Sequence, residues 1–227
     1  MEDEPGHNKE GIDKFTKFLL VIGGIFLGLT LYVYYHIITA KPTVIKDEPV
    51  TPIVYDVTAD SPSLMPLYLQ DDPQWASLPY SSSTIKEAGC GLTAAAMSYE
   101  YLTGEQVTPE SLLLEVGDSC LTDGVNDMGK FNTYAESRWS DIKGSDIYWD
   151  LDDAINDLRA GKLVYASLTG QFGSRNYGGH IILLWKIDGG TVYIRDPDSG
   201  DNSQRSFSVE ELKQCNLPYF YSIERVD

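Results

Sequence analysis

Residues 18–40, FLLVIGGIFLGLTLYVYYHIITA, carry no acidic, lysine or arginine side chain and are bracketed by Lys17 and Lys41. At about 1.5 Å per residue such a run crosses a hydrocarbon core of roughly 30 Å as one helix, with Tyr32, Tyr34 and Tyr35 near an interface. A cleaved signal peptide needs a shorter apolar core and a small-residue cleavage site, and Tyr34-Tyr35-His36 ahead of Ala40 fits that pattern poorly. A buried core helix of this length normally shows a polar face, and none is present. The run is therefore expected to be a transmembrane signal anchor. Lys9, Lys14 and Lys17 precede it, whereas only Lys41 and Lys46 follow closely. That small excess puts residues 1–17 in the cytoplasm and everything after the span outside it.

The rest of the chain is long enough for one core. Of 227 residues, 42% are hydrophobic and the formal net charge is −17, which accommodates one globular domain with appendages. The acidic balance argues against a nucleic-acid surface, which concentrates Lys and Arg on one face. It also means that attachment to anionic lipid has to come from the anchor. Three cysteines, Cys90, Cys120 and Cys215, allow one disulfide at most. An exported domain with a leftover thiol calls for a use for that thiol. Cys120 and Cys215 are equally consistent with a disulfide and with two buried thiols.

Residues 41–64, rich in Pro, Thr and acidic side chains with no sustained period, read as a stalk. The domain is expected over 65–227. Its first half reads as helical. Gly91–Leu102 has an alanine run stopped by Gly104; Thr108-Pro109 caps and opens a second helix; Asp150–Ala160 is amphipathic and ends at Gly161. The period then changes to short β-branched and aromatic runs, KLVYASLTG, HIILLWKI and TVYIRDP, with Asp188-Gly189-Gly190 as a hairpin turn. Ser208-Val209-Glu210-Glu211 is a capping box for a last helix. Helices followed by an antiparallel sheet make an α+β fold.

Cys90 lies between Gly89 and Gly91 at the mouth of the first of these helices. The partial positive charge there favours a thiolate, and the glycines let a substrate backbone approach. A small buried cysteine would occupy the same place without chemistry. His180 opens an apolar strand in Gly178-Gly179-His180-Ile181-Ile182, and the other histidines, His7 and His36, fall in the tail and the anchor, so a histidine base has to be His180. Asp196 ends the next strand, from which a tight hairpin brings it beside His180 to fix the imidazole tautomer. Taken alone, His180 is also a strand-edge residue and Asp196 a turn residue before Pro197. Cys, His and Asp in this order, the first on a helix and the others on paired strands, is similar to the arrangement of papain-like peptidases.

From about Met65 to Asp198 the chain resembles the bacterial C39-like cysteine peptidases. The resemblance rests on the leading segment MPLYLQDDPQWASLPY, the Gly89-Cys90-Gly91 turn, the GHIILL strand around His180 and RDP around Asp196. It implies a papain-like α+β fold, thiol hydrolysis of amide bonds and an oxyanion-hole glutamine in the leading segment, for which Gln70 matches best and Gln74 is second. Thr84 stands at the papain spacing of six residues before the cysteine. Leu92 replaces the proline usual in the family's Gly-Cys-Gly-Pro-Thr, so the match is to a divergent member.

The expected function is hydrolysis of a peptide or cell-envelope amide at the membrane surface by Cys90, His180 and Asp196, with Gln70 and the Cys90 backbone N–H holding the oxyanion. The rivals are an adaptor that binds without cutting and an acyl or peptidyl transferase using the same residues. No cofactor or metal is expected. Asp196–Asp201 has glycine one place early for a calcium loop, and Phe207 stands where the final acid belongs.

Overall fold

The computed structural model describes residues 65–226. The tail (1–17), the expected span (18–40) and the stalk (41–64) lie outside the described residues; among the described ones no helix is long and apolar enough to cross a membrane.

The domain opens with a small hairpin, β1 (Pro79–Tyr80) and β2 (Ser83–Thr84), and a single turn of helix, α1 (Ile85–Ala88). Next come α2 (Cys90–Thr103) and α3 (Pro109–Val116), a second small hairpin of β3 (Leu121–Thr122) and β4 (Val125–Asn126), α4 (Met128–Arg138), β5 (Ile142–Gly144) and α5 (Leu151–Arg159). The second half comprises β6 (Leu163–Phe172), β7 (Arg175–Asp188), β8 (Thr191–Arg195), α6 (Gly200–Gln204), β9 (Ser206–Ser208), α7 (Val209–Lys213) and β10 (Phe220–Arg225). Six strands form one antiparallel sheet in the order β5-β10-β6-β7-β8-β9.

Both faces of that sheet are covered, which explains why its central strands read as continuous apolar runs. Leu163, Tyr165, Ile181, Leu183 and Ile223 point to one side, where Leu92, Ala95, Ala96 and Met97 of α2 join them. Val164, Ala166, Ile182, Leu184 and Phe220 point to the other, against Ala154, Ile155 and Leu158 of α5 and Leu212 of α7. Helix α2 is buried on every side from Gly91 to Tyr99. Its alanines let its backbone come close to β7, and Gly104 ends it in the left-handed conformation at φ 72°. The expected caps are present: Thr108 and Ser208 each sit in a capping box, and Asp150 accepts from the Asp152 N–H.

Besides the two short hairpins, the single-turn α1, α6 and β9, three elements escape the periodicity argument. α4 buries only Met128, Phe131, Asn132 and Ala135 along a largely polar sequence. β5 is three residues long, and β10 follows the last helix at the end of the chain. Cys120 belongs to the cluster on the α2 side and Cys215 packs against the cluster on the other face, and both thiols are free. The sheet stands between them, so no disulfide joins them.

Candidate active site

The nucleophile candidate is placed by the break between α1 and α2. Gly89 is the residue at which one helix stops and the next starts; an added Cβ there would stand 2.5 Å from the Ile85 carbonyl oxygen. Cys90 is thereby the first residue of a buried fourteen-residue helix, half-exposed, with its thiol at the positive end of the helix dipole.

His180 and Asp196 come from the sheet. Leu183 pairs with Arg195 and Leu184 with Ile194. One further step of that register sets Asp196 across from Ile182, and His180 is its diagonal neighbour, a distance that long side chains bridge. His180 Nε2 and Asp196 Oδ1 are 2.7 Å apart. The Cys90 side chain is close enough to the same imidazole to favour its charged form. The structure thus brings the three residues together in the order the sequence suggests.

Asp196 has no exposed surface, and a buried carboxylate is tolerable only if its lone pairs are taken. Oδ1 accepts from His180 and from the Asp198 N–H at 3.0 Å; Oδ2 accepts from the Tyr177 hydroxyl and from Asn202 Nδ2, each at 2.8 Å. The turn-forming bond to Asp198 and the bond to His180 coexist on one oxygen. Asn202 lies in α6, in the stretch that superficially resembles a calcium loop. Its amide serves Asp196, and among the described residues no acidic, cysteine or histidine cluster is set up to hold a metal ion.

Burial disfavours a charged imidazole, but its hydrogen bond to Asp196 and the influence of nearby Cys90 outweigh it and lift His180 to about 9. Burial likewise works against the Asp196 carboxylate; the hydrogen bond and charge of His180, then Asn202 and Tyr177, override it and hold the carboxyl below its ordinary range. The two directions agree: the arrangement stabilises an imidazolium–carboxylate pair. Tyr177 completes it, its ring stacked on the imidazole at 4.3 Å with planes 3° apart. Burial and then the negative charge of Asp196 push its phenol up, so it remains a donor.

Gln70 is buried and spans the two halves of the domain. Its N–H donates to the Pro197 carbonyl at 2.7 Å, beside Asp196, and Nε2 donates to the Lys86 carbonyl at 2.5 Å, four residues ahead of Cys90. Nε2 carries a second hydrogen. Gln74 is exposed and bonded to Asp72, and the Thr84 hydroxyl turns to Glu87; neither reaches the site. Arg195, adjacent to Asp196, donates to the carbonyls of Met65 and Pro66, so the first described residues are strapped along the same edge.

Residues 65–220 match the Peptidase_C39 like family, more than half of the chain. The chain belongs to that family. Among solved structures, this C39-like chain is similar to a Bacillus anthracis protein described as a C39-like peptidase, at 17% identity and a TM-score of 0.47, covering 72% of this chain and 96% of the other. It is also similar to a double-glycine-motif protease from an AMS/PCAT transporter in complex with the leader peptide, at 16% identity and a TM-score of 0.46, covering 74% and 97%. A third, the Salmonella effector SpvD, has 14% identity and a TM-score of 0.32, covering 74% and 85%. No curated protein matches the chain.

Proposed function

We propose that this C39-like domain is a cysteine peptidase, held at the membrane by residues 18–40 with the domain outside the cytoplasm, that hydrolyses a peptide or cell-envelope amide. The observation that carries the reading is the buried pair His180–Asp196 at 2.7 Å, with Cys90 close enough to the same ring to favour its charge.

In the reaction the thiol proton passes to His180, and the Cys90 sulfur attacks the amide carbonyl, forming a carbon–sulfur bond. The carbonyl oxygen takes the negative charge and is held by the Cys90 N–H at the start of α2 and by the open hydrogen of Gln70 Nε2. His180 then gives its proton to the leaving nitrogen as the carbon–nitrogen bond breaks, releasing an amine and leaving a thioester. Water attacks the thioester while giving a proton to His180, and the carbon–sulfur bond breaks to release the acid and restore Cys90. Asp196 stays ionised throughout. Its four hydrogen bonds keep it in place, and its charge supports the imidazolium between the two proton transfers.

The test is labelling of Cys90 by an electrophilic thiol probe across pH, in wild type, Cys90→Ala and His180→Ala, followed by a peptide screen. Rapid labelling below about pH 7, slowed in His180→Ala, supports an activated thiolate. Labelling no faster than that of a free thiol of pKa about 8.5 favours the non-cutting adaptor. Membrane fractionation of the full chain against a chain lacking residues 1–40 tests the anchor.

A further inference from the structure

Asn126 is the second residue of β4, just past a turn in which Asp123 (φ 52°) and Gly124 (φ 78°) both take left-handed backbone, as type I′ hairpins require. Its side chain is fixed from several directions. Oδ1 accepts from the Tyr80 hydroxyl at 2.8 Å, Nδ2 donates to the Ala88 carbonyl at 2.7 Å, and the same Nδ2 lies 3.7 Å from Cys90 Sγ. A carbonyl only accepts, so Ala88 settles which end of the amide is nitrogen. Residue 91 leaves the space for it: a Cβ on Gly91 would stand 2.5 Å from Asn126 Cβ. Asn126 also lines an open cavity of about 220 Å³ bordered by Val125, Tyr219 and Tyr221, so the residue is not sealed in the core; Cys90, His180 and Asp196 do not line that cavity.

We propose that Asn126 is a hydrogen-bond donor to the Cys90 sulfur, stabilising its anionic form and holding it where it attacks. The proposal rests on the cysteine-peptidase reading and adds a fourth side chain to that centre. An amide N–H directed at sulfur is a weak bond to a neutral thiol and a much better one to a thiolate, since hydrogen bonds to ionised acceptors are roughly twice as strong. An anionic sulfur would thus face the His180 imidazole and, through Asn126, an uncharged amide that keeps its direction at every pH. The remaining titratable neighbours are Tyr80, behind Asn126, with Cys120 and Asp118 near its phenol, and none of them donates to the sulfur.

The test uses the full chain, with alkylation by iodoacetamide followed at the Cys90 peptide by mass spectrometry as a function of pH. Asn126→Asp is nearly isosteric and keeps the acceptor for Tyr80. It removes the donor and sets a carboxyl beside the sulfur, so the pH midpoint is expected to rise by at least about one unit, a tenfold loss of thiolate at a given pH. Asn126→Ala is expected to move it in the same direction by less. Midpoints unchanged in both variants, with only thermal stability lowered, would show Asn126 to be a structural tie between Tyr80 and Ala88 and overturn the proposal. If Cys90 of the wild type shows no enhanced alkylation at any pH, the peptidase reading falls and takes this proposal with it, an outcome distinct from unchanged midpoints in a reactive protein.

Discussion

The phenol of Tyr177 lies flat on the His180 imidazole, and its hydroxyl ends on Asp196 Oδ2, 2.8 Å away. One side chain thus covers the face of the histidine and satisfies the far oxygen of the carboxylate that orients it. Tyr177→Phe keeps the stacking and removes the hydrogen bond. A bond to a charged group is worth about 1.5–3 kcal/mol, so kcat/KM is expected to fall roughly tenfold or more. Tyr177→Ala also uncovers the ring and is expected to cost further. Steady-state kinetics on any peptide found to be cleaved, with Cys90 alkylation as a substrate-free control, measures both.

Asp196→Asn removes the charge that sustains the imidazolium. His180 lies at about 9 in the native protein and at about 6.5 in an unfolded chain. Activity that needs protonated His180 is therefore expected to decline as pH rises through about 9 in wild type. In the variant the same limb moves down towards neutrality. A limb that stays in place would show that Asp196 does not support the histidine charge.

Stability follows from the same numbers. A histidine whose pKa is raised by folding contributes stability that is complete below about pH 6.5 and is lost as pH climbs through about 9. Asp196, depressed by folding, contributes above its unfolded value near 3.9 and loses that contribution as pH falls further. Urea melts of wild type at pH 6 and pH 9.5 are expected to differ more than those of His180→Ala over the same interval.

Gly91→Ala is expected to destabilise the domain by about 1–3 kcal/mol, the usual cost of overpacking, because the new methyl meets the Asn126 side chain. Displacing Asn126 is also expected to slow alkylation of Cys90. Chemical denaturation and alkylation on the same preparation separate the two effects.

Gln70→Ala removes the proposed oxyanion donor and the tie to Lys86. Loss of one such donor typically lowers kcat by about 10²–10³, whereas alkylation of Cys90 by iodoacetamide develops no oxyanion and is expected to keep its rate. A parallel loss of both would point to Gln70 as a brace and not a donor.

How much of this centre is legible in the sequence depends on how each residue reaches it. Cys90, His180 and Asp196 are readable because a helix start and a tight hairpin are local features, but the hairpin only brings the acid near the histidine; the slip in pairing between Leu184 and Lys186, which the sequence does not announce, sets Asp196 on the same face as His180. Tyr177 is not. On a regular strand it points away from His180 three residues later; the slip in pairing between Leu168 and Gly170 breaks the alternation there. Asn126 arrives from a two-residue strand far along the chain, set by an Asp-Gly turn that signals a hairpin without saying what the hairpin touches. Asn202 sits among polar residues whose pattern suggests a cation, and the structure turns its amide to Asp196. In the fold, α4 is missed because its buried residues are few and spaced among polar ones. The sheet centre is evident because burial on both faces makes its strands uniformly apolar.

The strap along the Asp196 edge changes what it means to detach this domain. Arg195 grips the carbonyls of Met65 and Pro66, and Gln70 is bonded to Pro197, so both sides of Asp196 are tied to the first few described residues. A cut between Met65 and Gln70 is therefore expected to unfasten Asp196 from its own support and not to set free a working fragment, and limited digestion with loss of Cys90 alkylation checks it. With the domain anchored and active as proposed, release at that point and inactivation are expected to be a single step.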